Sequence, residues 1–170
     1  MILATDVHYR ADGKATAAGA LFRDWHSETA DQVVTHQIGQ VAPYRPGYFF
    51  ERELPCLLAL IAKLDTRPDL VIIDVYVWLG ADHRPGLGAY LHAALDGSIP
   101  VIGIAKTRFH ATPPNTEVFR GQSSRPLFVT AVGIEADAAR NSIRSMHGPH
   151  RTPTIFSFVD RACREDVLPT

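Results

Sequence analysis

The spacing of apolar and polar positions divides the chain into a strand-rich start and an alternating remainder. Residues 1–7 (MILATDV), 15–25 (ATAAGALFRDW) and 31–41 (DQVVTHQIGQV) are apolar runs separated by short turns, with Gly13 and Lys14 ahead of the second. Three such runs predict an antiparallel meander. In 51–64 (ERELPCLLALIAKL) the apolar residues recur at helical spacing instead. Residues 69–75 (DLVIIDV) and 99–106 (IPVIGIAK) are continuous β-branched-rich runs, the pattern of strands buried on both faces of a parallel sheet. Between them, 86–95 (GLGAYLHAAL) reads as a helix. Residues 110–124 (HATPPNTEVFRGQSS) are polar with two prolines, a loop or an irregular hairpin. A strand at 126–134 and a helix at 135–147 follow. A last helix over 152–165 has Thr152 as N-cap and Pro153 at the first helical position. A meander followed by strand–helix alternation predicts an α/β fold, one mixed sheet with helices on both faces.

Composition narrows the class. With 170 residues the chain fits a single domain, 1–170, and no repeat or linker divides it. Hydrophobic residues at 46% and charged residues at 21% exclude a disordered chain or a rod. No apolar run approaches the roughly 20 residues of a membrane-spanning helix. The start MILATDVHYR lacks a basic segment ahead of an apolar one, so no secretory signal is expected. Cys56 and Cys163 match no metal or redox spacing, and a reducing, cytoplasmic setting is the expectation. The net charge of −1 is unevenly spread. Residues 1–74 hold 10 acids and 7 bases, whereas 101–151 hold 7 bases and 3 acids. Of the 17 basic residues 14 are arginine, which suits bidentate phosphate contacts; GC-rich coding would raise arginine as well.

Three carboxylates stand at element ends. Asp6 closes the first apolar run, Asp74 closes DLVII, and Glu53 opens a helix just after Pro46-Gly47. Ligands of α/β sheets gather outside the carboxyl ends of strands. Carboxylates crowded there need a cation, and hard oxygen donors suit Mg²⁺ or Mn²⁺. Such a metal would activate water and stabilise charge at a phosphate. Taken singly, each acid would serve equally as a cap or as an arginine partner. Lys106 follows the apolar run VIGIA, where it would reach a scissile phosphate or remain an ordinary surface lysine.

Several of these segments occur in the order found in the endonuclease V family: DVHY (6–9), PYRPGYFFERELP (43–55), DLVIID (69–74) and IPVIGIAKTR (99–108). PLFVTAVG and the helix after it resemble that family's last strand and helix, so the resemblance runs from about residue 2 to about 165. The Pro-Tyr-x-Pro-Gly block with its downstream glutamate is the most specific part. The resemblance implies an RNase H-like mixed sheet, the meander followed by parallel strands. It also implies Mg²⁺-dependent cleavage of DNA or RNA near a deaminated base, typically inosine, as in DNA repair. On this resemblance Asp6, Glu53 and Asp74 are the metal-site acids, and Lys106 contacts the phosphate. Tyr44 is the wedge, completed by Pro43, Arg45 and Pro46, and Gly47 is part of the base pocket. A wedge has an independent rationale, because a base read outside the stack leaves a gap that an aromatic ring or proline fills. The prolines flanking Tyr44 and Arg45 stiffen the loop.

The chain also departs from the family. The family follows its strand-end aspartate with Gly-His-Gly; here Val75-Tyr76-Val77-Trp78-Leu79 follows Asp74, and the stretch before Leu87 is longer. Val75 and Val77 would put side chains where glycine lets the backbone approach the base. The segment 110–124 is shorter than in the family. The family's last strand ends in Gly-His, with a histidine that helps bind metal or activate water. Here it ends in Gly133-Ile134, and isoleucine neither ligates nor transfers a proton. His8, His83, His147 and His150 are possible substitutes, and no spacing selects one. These features predict a divergent metal-dependent nuclease with altered base preference. The alternative is a catalytically impaired nucleic-acid-binding protein on the same fold. A partner-binding module using Tyr76, Trp78 and Leu79 is a third reading.

Overall fold

The computed structural model describes residues 1–165; the last five positions of the expected 1–170 domain lie outside the described residues. The chain forms β1 (Ile2–Tyr9), β2 (Ala15–Phe22), β3 (Gln32–Ile38), α1 (Phe49–Ile61), β4 (Leu70–Ile73) and the two-residue strands β5 (Trp78–Leu79) and β6 (Arg84–Pro85). It continues through α2 (Leu87–Ala94), β7 (Val101–Ala105), β8 (Glu117–Val118), β9 (Leu127–Val132), α3 (Ala136–Ser145) and α4 (Thr154–Glu165). Seven strands make one sheet in the order β3-β2-β1-β4-β7-β9-β8, and β5 and β6 form a separate hairpin. The meander β1-β2-β3 is antiparallel, and β1, β4 and β7 are parallel. This is the mixed, helix-flanked α/β sheet that the pattern predicts.

Alternation along the strands builds a core on each face. Ile2, Ala4, Leu70, Ile72, Ile102 and Ile104 pack on one side with α3 and α4. Leu3, Val7, Val71, Ile73 and Val101 pack on the other with α1 and α2. The buried stripe of α1 is Glu53, Cys56, Leu57 and Leu60, a helical repeat that carries one carboxylate into the interior.

Several elements differ from the sequence-based expectations. β1 runs on to Tyr9 because its pairing with β2 extends to Tyr9↔Ala15, so Asp6 lies inside a strand. Its parallel pairing with β4 covers only Ile2 to Ala4, so Asp6 still lies beyond the end of that ladder. The parallel order stops at β7, because β9 runs antiparallel to it with no helical crossover between them. Residues 110–124 are the irregular hairpin: a short 3-10 turn, Pro114–Thr116, leads into β8, which pairs with β9. The last helix begins at Thr154, and Pro153 precedes it, its carbonyl accepting the Ser157 N–H at 3.1 Å. Among the described residues no helix is long and apolar enough to cross a membrane.

Two contacts fix the loops around the sheet. The loop after β4 crosses Gly103 so closely that a Cβ there would meet the Val75 carbonyl oxygen at 2.2 Å and the Val77 nitrogen at 2.8 Å. The buried Arg120 guanidinium donates to the carbonyls of Met146, His150 (2.9 Å) and Arg151 (3.2 Å), tying the α3–α4 link to the sheet edge. Overpacking a fitted core costs about 1–3 kcal/mol. Gly103→Ala is therefore expected to lower the melting temperature by about 2–12 °C, at about 2–4 °C per kcal/mol for a chain of this size. An unchanged melting temperature would show that Val75 and Val77 do not press on Gly103.

Candidate metal and nucleic-acid site

The parity of β1 sends Asp6 and Tyr9 to opposite faces of the sheet. On the α4 face, Asp6 meets Asp160 and Cys163, with one ligand atom from each within 4.8 Å of the others. The Cys163 thiol lies 3.7 Å from Asp6 Oδ2, and the Val7 N–H donates to Asp6 Oδ1 at 2.8 Å. On the α1 face, the Tyr9 hydroxyl donates to Glu53 Oε2 at 3.3 Å, and the Arg52 guanidinium lies 3.7 Å over the Tyr9 ring. Asp74 follows β4 and Lys106 follows β7, so both enter from neighbouring parallel strands. Asp6 and Asp160 oxygens lie within 4.8 Å of each other, and Asp6 is near enough to Asp74 to raise its carboxyl.

This crowding governs the protonation of the group. Burial, with Asp74 and Asp6 nearby, pushes the Glu53 carboxyl up to about 8. Burial and Asp6 push Asp74 up to about 7, against the pull of Lys106. Asp6 is raised by burial, and Asp160 adds to the rise. Burial also acts upward on Asp160, but hydrogen bonds from Arg164 and Asp6 hold it below the usual range. Burial and the flanking Asp6 and Asp160 push the Cys163 thiol up to about 12, so it stays protonated and donates to Asp6. Asp6, Asp74 and Asp160 thus share Lys106, Glu53 has Arg52 nearby, and Arg164 is ion-paired to Asp160 at 2.9 Å. The donor set is oxygen-rich, like-charged and short of cations, which fits a hard metal cation.

Asp6, Glu53, Asp74 and Lys106 therefore share one end of the sheet. Asp160 is the site residue that the sequence analysis missed. Its signal was a carboxylate beside the buried stripe of the last helix, Ile155, Phe156, Val159, Ala162 and Cys163. Ile134 is elsewhere. β9 pairs Val132 with Val101 at the start of β7, whereas Lys106 follows the other end of that strand. Ile134 packs into the apolar core, so its difference from the family histidine does not touch the carboxylates. His8 alternates onto the Asp6 face, and His147 Nδ1 lies 3.1 Å from Thr154 Oγ1. His83, at φ +52°, sits beside the Trp78 ring, and His150 is exposed.

The proline loop flanks this end. Pro43, Tyr44, Arg45 and Pro46 are exposed, Tyr44 by 61%. Arg45 pairs with Glu51 at 2.9 Å and lies 4.4 Å over the Tyr48 ring. Gly47, at φ +81°, turns the chain into α1 in a conformation that favours glycine. Next to it opens a cavity of about 530 Å³ whose wall includes Gly47, Phe50, Val75, Tyr76, Arg84 and Tyr90. Val75 lines it, but Val77 does not: its side chain is fully buried against Gly88. Tyr76 and Trp78 are packed inward too. The Tyr76 hydroxyl donates to the Thr107 carbonyl at 2.9 Å, and Trp78 Nε1 donates to the Ala131 carbonyl at 2.8 Å. They form no exposed docking patch.

Two outcomes are expected. Unfolded, Glu53 and Asp74 titrate near about 4, but folded they titrate at about 8 and about 7. Folding therefore favours their protonated forms, a stabilisation present below about pH 4 and lost as pH rises through 7 to 8. Without divalent cations the melting temperature should fall across this window; Mn²⁺ should restore it at pH 8, and Asp74→Asn should flatten the slope. A pH-independent melting curve would contradict the crowding. Tyr9→Phe keeps the ring under Arg52 and removes only the hydroxyl. Residues holding a metal ligand in place are worth about 10–100-fold in affinity, so Mn²⁺ titration should show roughly tenfold weaker binding with an unchanged melting temperature.

The family model for endonuclease V matches residues 1–146. A curated endonuclease V of Xanthomonas oryzae pv. oryzae is 38% identical over 103 residues, 61% of this chain and 42% of that protein. The matched part of the chain thus spans about two fifths of that relative's length. The crystal structure of endonuclease V from Streptomyces avermitilis superposes with a TM-score of 0.73 at 27% identity, covering 97% of this chain and 80% of that one. Endonuclease V of Ciona intestinalis, crystallised with DNA containing an inosine followed by a ribo-adenosine, shares the fold at a TM-score of 0.77 and 16% identity, covering 97% and 84%. With its motifs in family order and its acids gathered at one end of an RNase H-like sheet, the chain belongs to the endonuclease V family.

Proposed function

We propose that this protein is a divalent-metal-dependent nuclease that cuts a DNA or RNA strand close to a modified or deaminated base, in a cytoplasmic setting. The convergence of Asp6, Glu53, Asp74 and Asp160 with Lys106 carries this reading. Mg²⁺ or Mn²⁺ bound there would supply charge neutralisation at the phosphate and a lowered pKa for the attacking water.

The chain's own residues supply the rest. Asp6 and Asp74 present oxygens from adjacent parallel strands, Asp160 adds one from α4, and Glu53 adds one from the opposite face. Tyr9 holds one Glu53 oxygen and leaves the other for a ligand. Lys106 is exposed beside these acids, where it can meet the non-bridging oxygens of the scissile phosphate. Tyr44 stands out on the proline-stiffened loop as the group that fills the gap left by a displaced base. The neighbouring cavity receives that base, and the Gly47 backbone borders it. The partner is therefore a strand that is single or distorted, where extrusion is least costly. The alternative of a binding protein without turnover rested on the loss of Gly-His-Gly after Asp74 and on Ile134; Ile134 stands away from the acids, and Asp160 supplies a carboxylate at them.

A strand-cleavage assay with Mg²⁺ and with Mn²⁺, on labelled DNA and RNA with and without inosine, tests this. Asp6→Ala and Asp74→Ala are expected to abolish cleavage while the protein stays folded, and Lys106→Ala to slow it by roughly 10²–10³. Tyr44→Ala should weaken cleavage of duplex more than of single strands. Undiminished cleavage by both aspartate variants would overturn the assignment.

A further inference from the structure

The cavity beside the proline loop is almost wholly apolar in its side chains. Phe50 and Tyr90 stack at 4.0 Å in one wall, and Val75, Leu79 and Leu87 contribute others. Of its polar side chains, Tyr76 is already engaged, donating to the Thr107 carbonyl and accepting the Phe109 N–H at 3.1 Å. The Tyr48 and Tyr90 hydroxyls can donate or accept, so they do not discriminate between ligand edges. Arg84 is different. It lines this cavity and a smaller one of about 330 Å³ that shares its wall. Its side chain is exposed, its guanidinium lies 5.6 Å from the Phe109 ring centre, and among the described residues it makes no hydrogen bond or ion pair. The β5–β6 hairpin, pairing Leu79 with Arg84, fixes the backbone that carries it.

We infer that Arg84 is a specificity-determining residue of this cavity, selecting a displaced 6-oxopurine over adenine. The inference rests on the nuclease reading and adds the edge by which the base is read. A guanidinium has only donors. Hypoxanthine and guanine present two acceptors, O6 and N7, at the spacing that an arginine fork matches. Adenine puts an amino donor at the first of those positions and leaves N7 alone. Cytosine presents a donor, and uracil a single acceptor on a smaller ring. Arg84 does not separate hypoxanthine from guanine, because they differ at the 2-amino group on another edge. In a duplex guanine is kept from the cavity by its pairing, whereas unpaired guanine is not.

The test uses pyrimidine-only single strands with one central inosine, 7-deazainosine, guanosine or adenosine, cleaved by wild type, Arg84→Ala and Arg84→Lys with Mn²⁺. Wild type is expected to favour the inosine and guanosine strands over adenosine by roughly tenfold or more, and to lose much of that preference with 7-deazainosine, which lacks the N7 acceptor. Arg84→Ala should bring the inosine and guanosine strands down to the adenosine level. Arg84→Lys should keep part of the preference and respond less to the 7-deaza change. Equal losses on every strand would make Arg84 a backbone contact and overturn the inference. So would a preference that survives Arg84→Ala, or indifference to N7. Wild-type cleavage regardless of the central base would sink the inference and leave the nuclease reading standing. No cleavage of any strand would sink both.

Discussion

The crowding of buried and half-buried carboxylates at one end of the sheet is the constraint on which the rest depends. Burial raises the proton affinity of Asp6, Glu53 and Asp74, neighbouring carboxylates add to the rise, and Lys106 offsets only part of the cost at Asp6 and Asp74, as Arg52 does at Glu53. Such a cluster costs folding free energy unless a cation neutralises it. It persists because two apolar cores, one on each face of the sheet, fix the strands and helices that carry the acids. A divalent cation would offset this cost, so the source of strain and the proposed source of chemistry are one feature.

The scaffold confines this strain to one end of the sheet. β1, β4 and β7 run parallel and deliver Asp6, Asp74 and Lys106 to the same end. Helices on opposite faces reach that end from both sides, α1 with Glu53 and α4 with Asp160. Gly103 allows the loop after Asp74 to lie across β7, and this brings Val75 and Tyr76 to the cavity wall. The exposed proline loop and the cavity are therefore tied to the acids through backbone that has little freedom.

The loop after Asp74 also changes how the departures from the family read. Its valines are not equivalent: Val75 faces the cavity and Val77 completes the core against Gly88. The irregular backbone between β4 and β5 decides this, because residues two apart on a regular strand would share a face. The antiparallel course of β9 likewise removes Ile134 from the site.

The sequence by itself determined the element types and the mixed sheet, and it pointed to Asp6, Glu53, Asp74, Lys106 and the 43–47 block as candidates. The elements follow from periodicity, which neighbouring residues encode directly, and the candidates from motifs that resemble those of the family. It did not reveal Asp160, the hairpin at 78–85, the antiparallel sense of β9 or the polar donor at Arg84. Asp160 is separated from Asp6 by most of the chain, and only the packing of α4 on β1 brings them together. Strands of two residues are too short to show alternation, and strand direction depends on pairing between distant segments. Local pattern sets what each segment is, whereas which side chains share a space is decided by tertiary packing that brings together residues far apart in the chain.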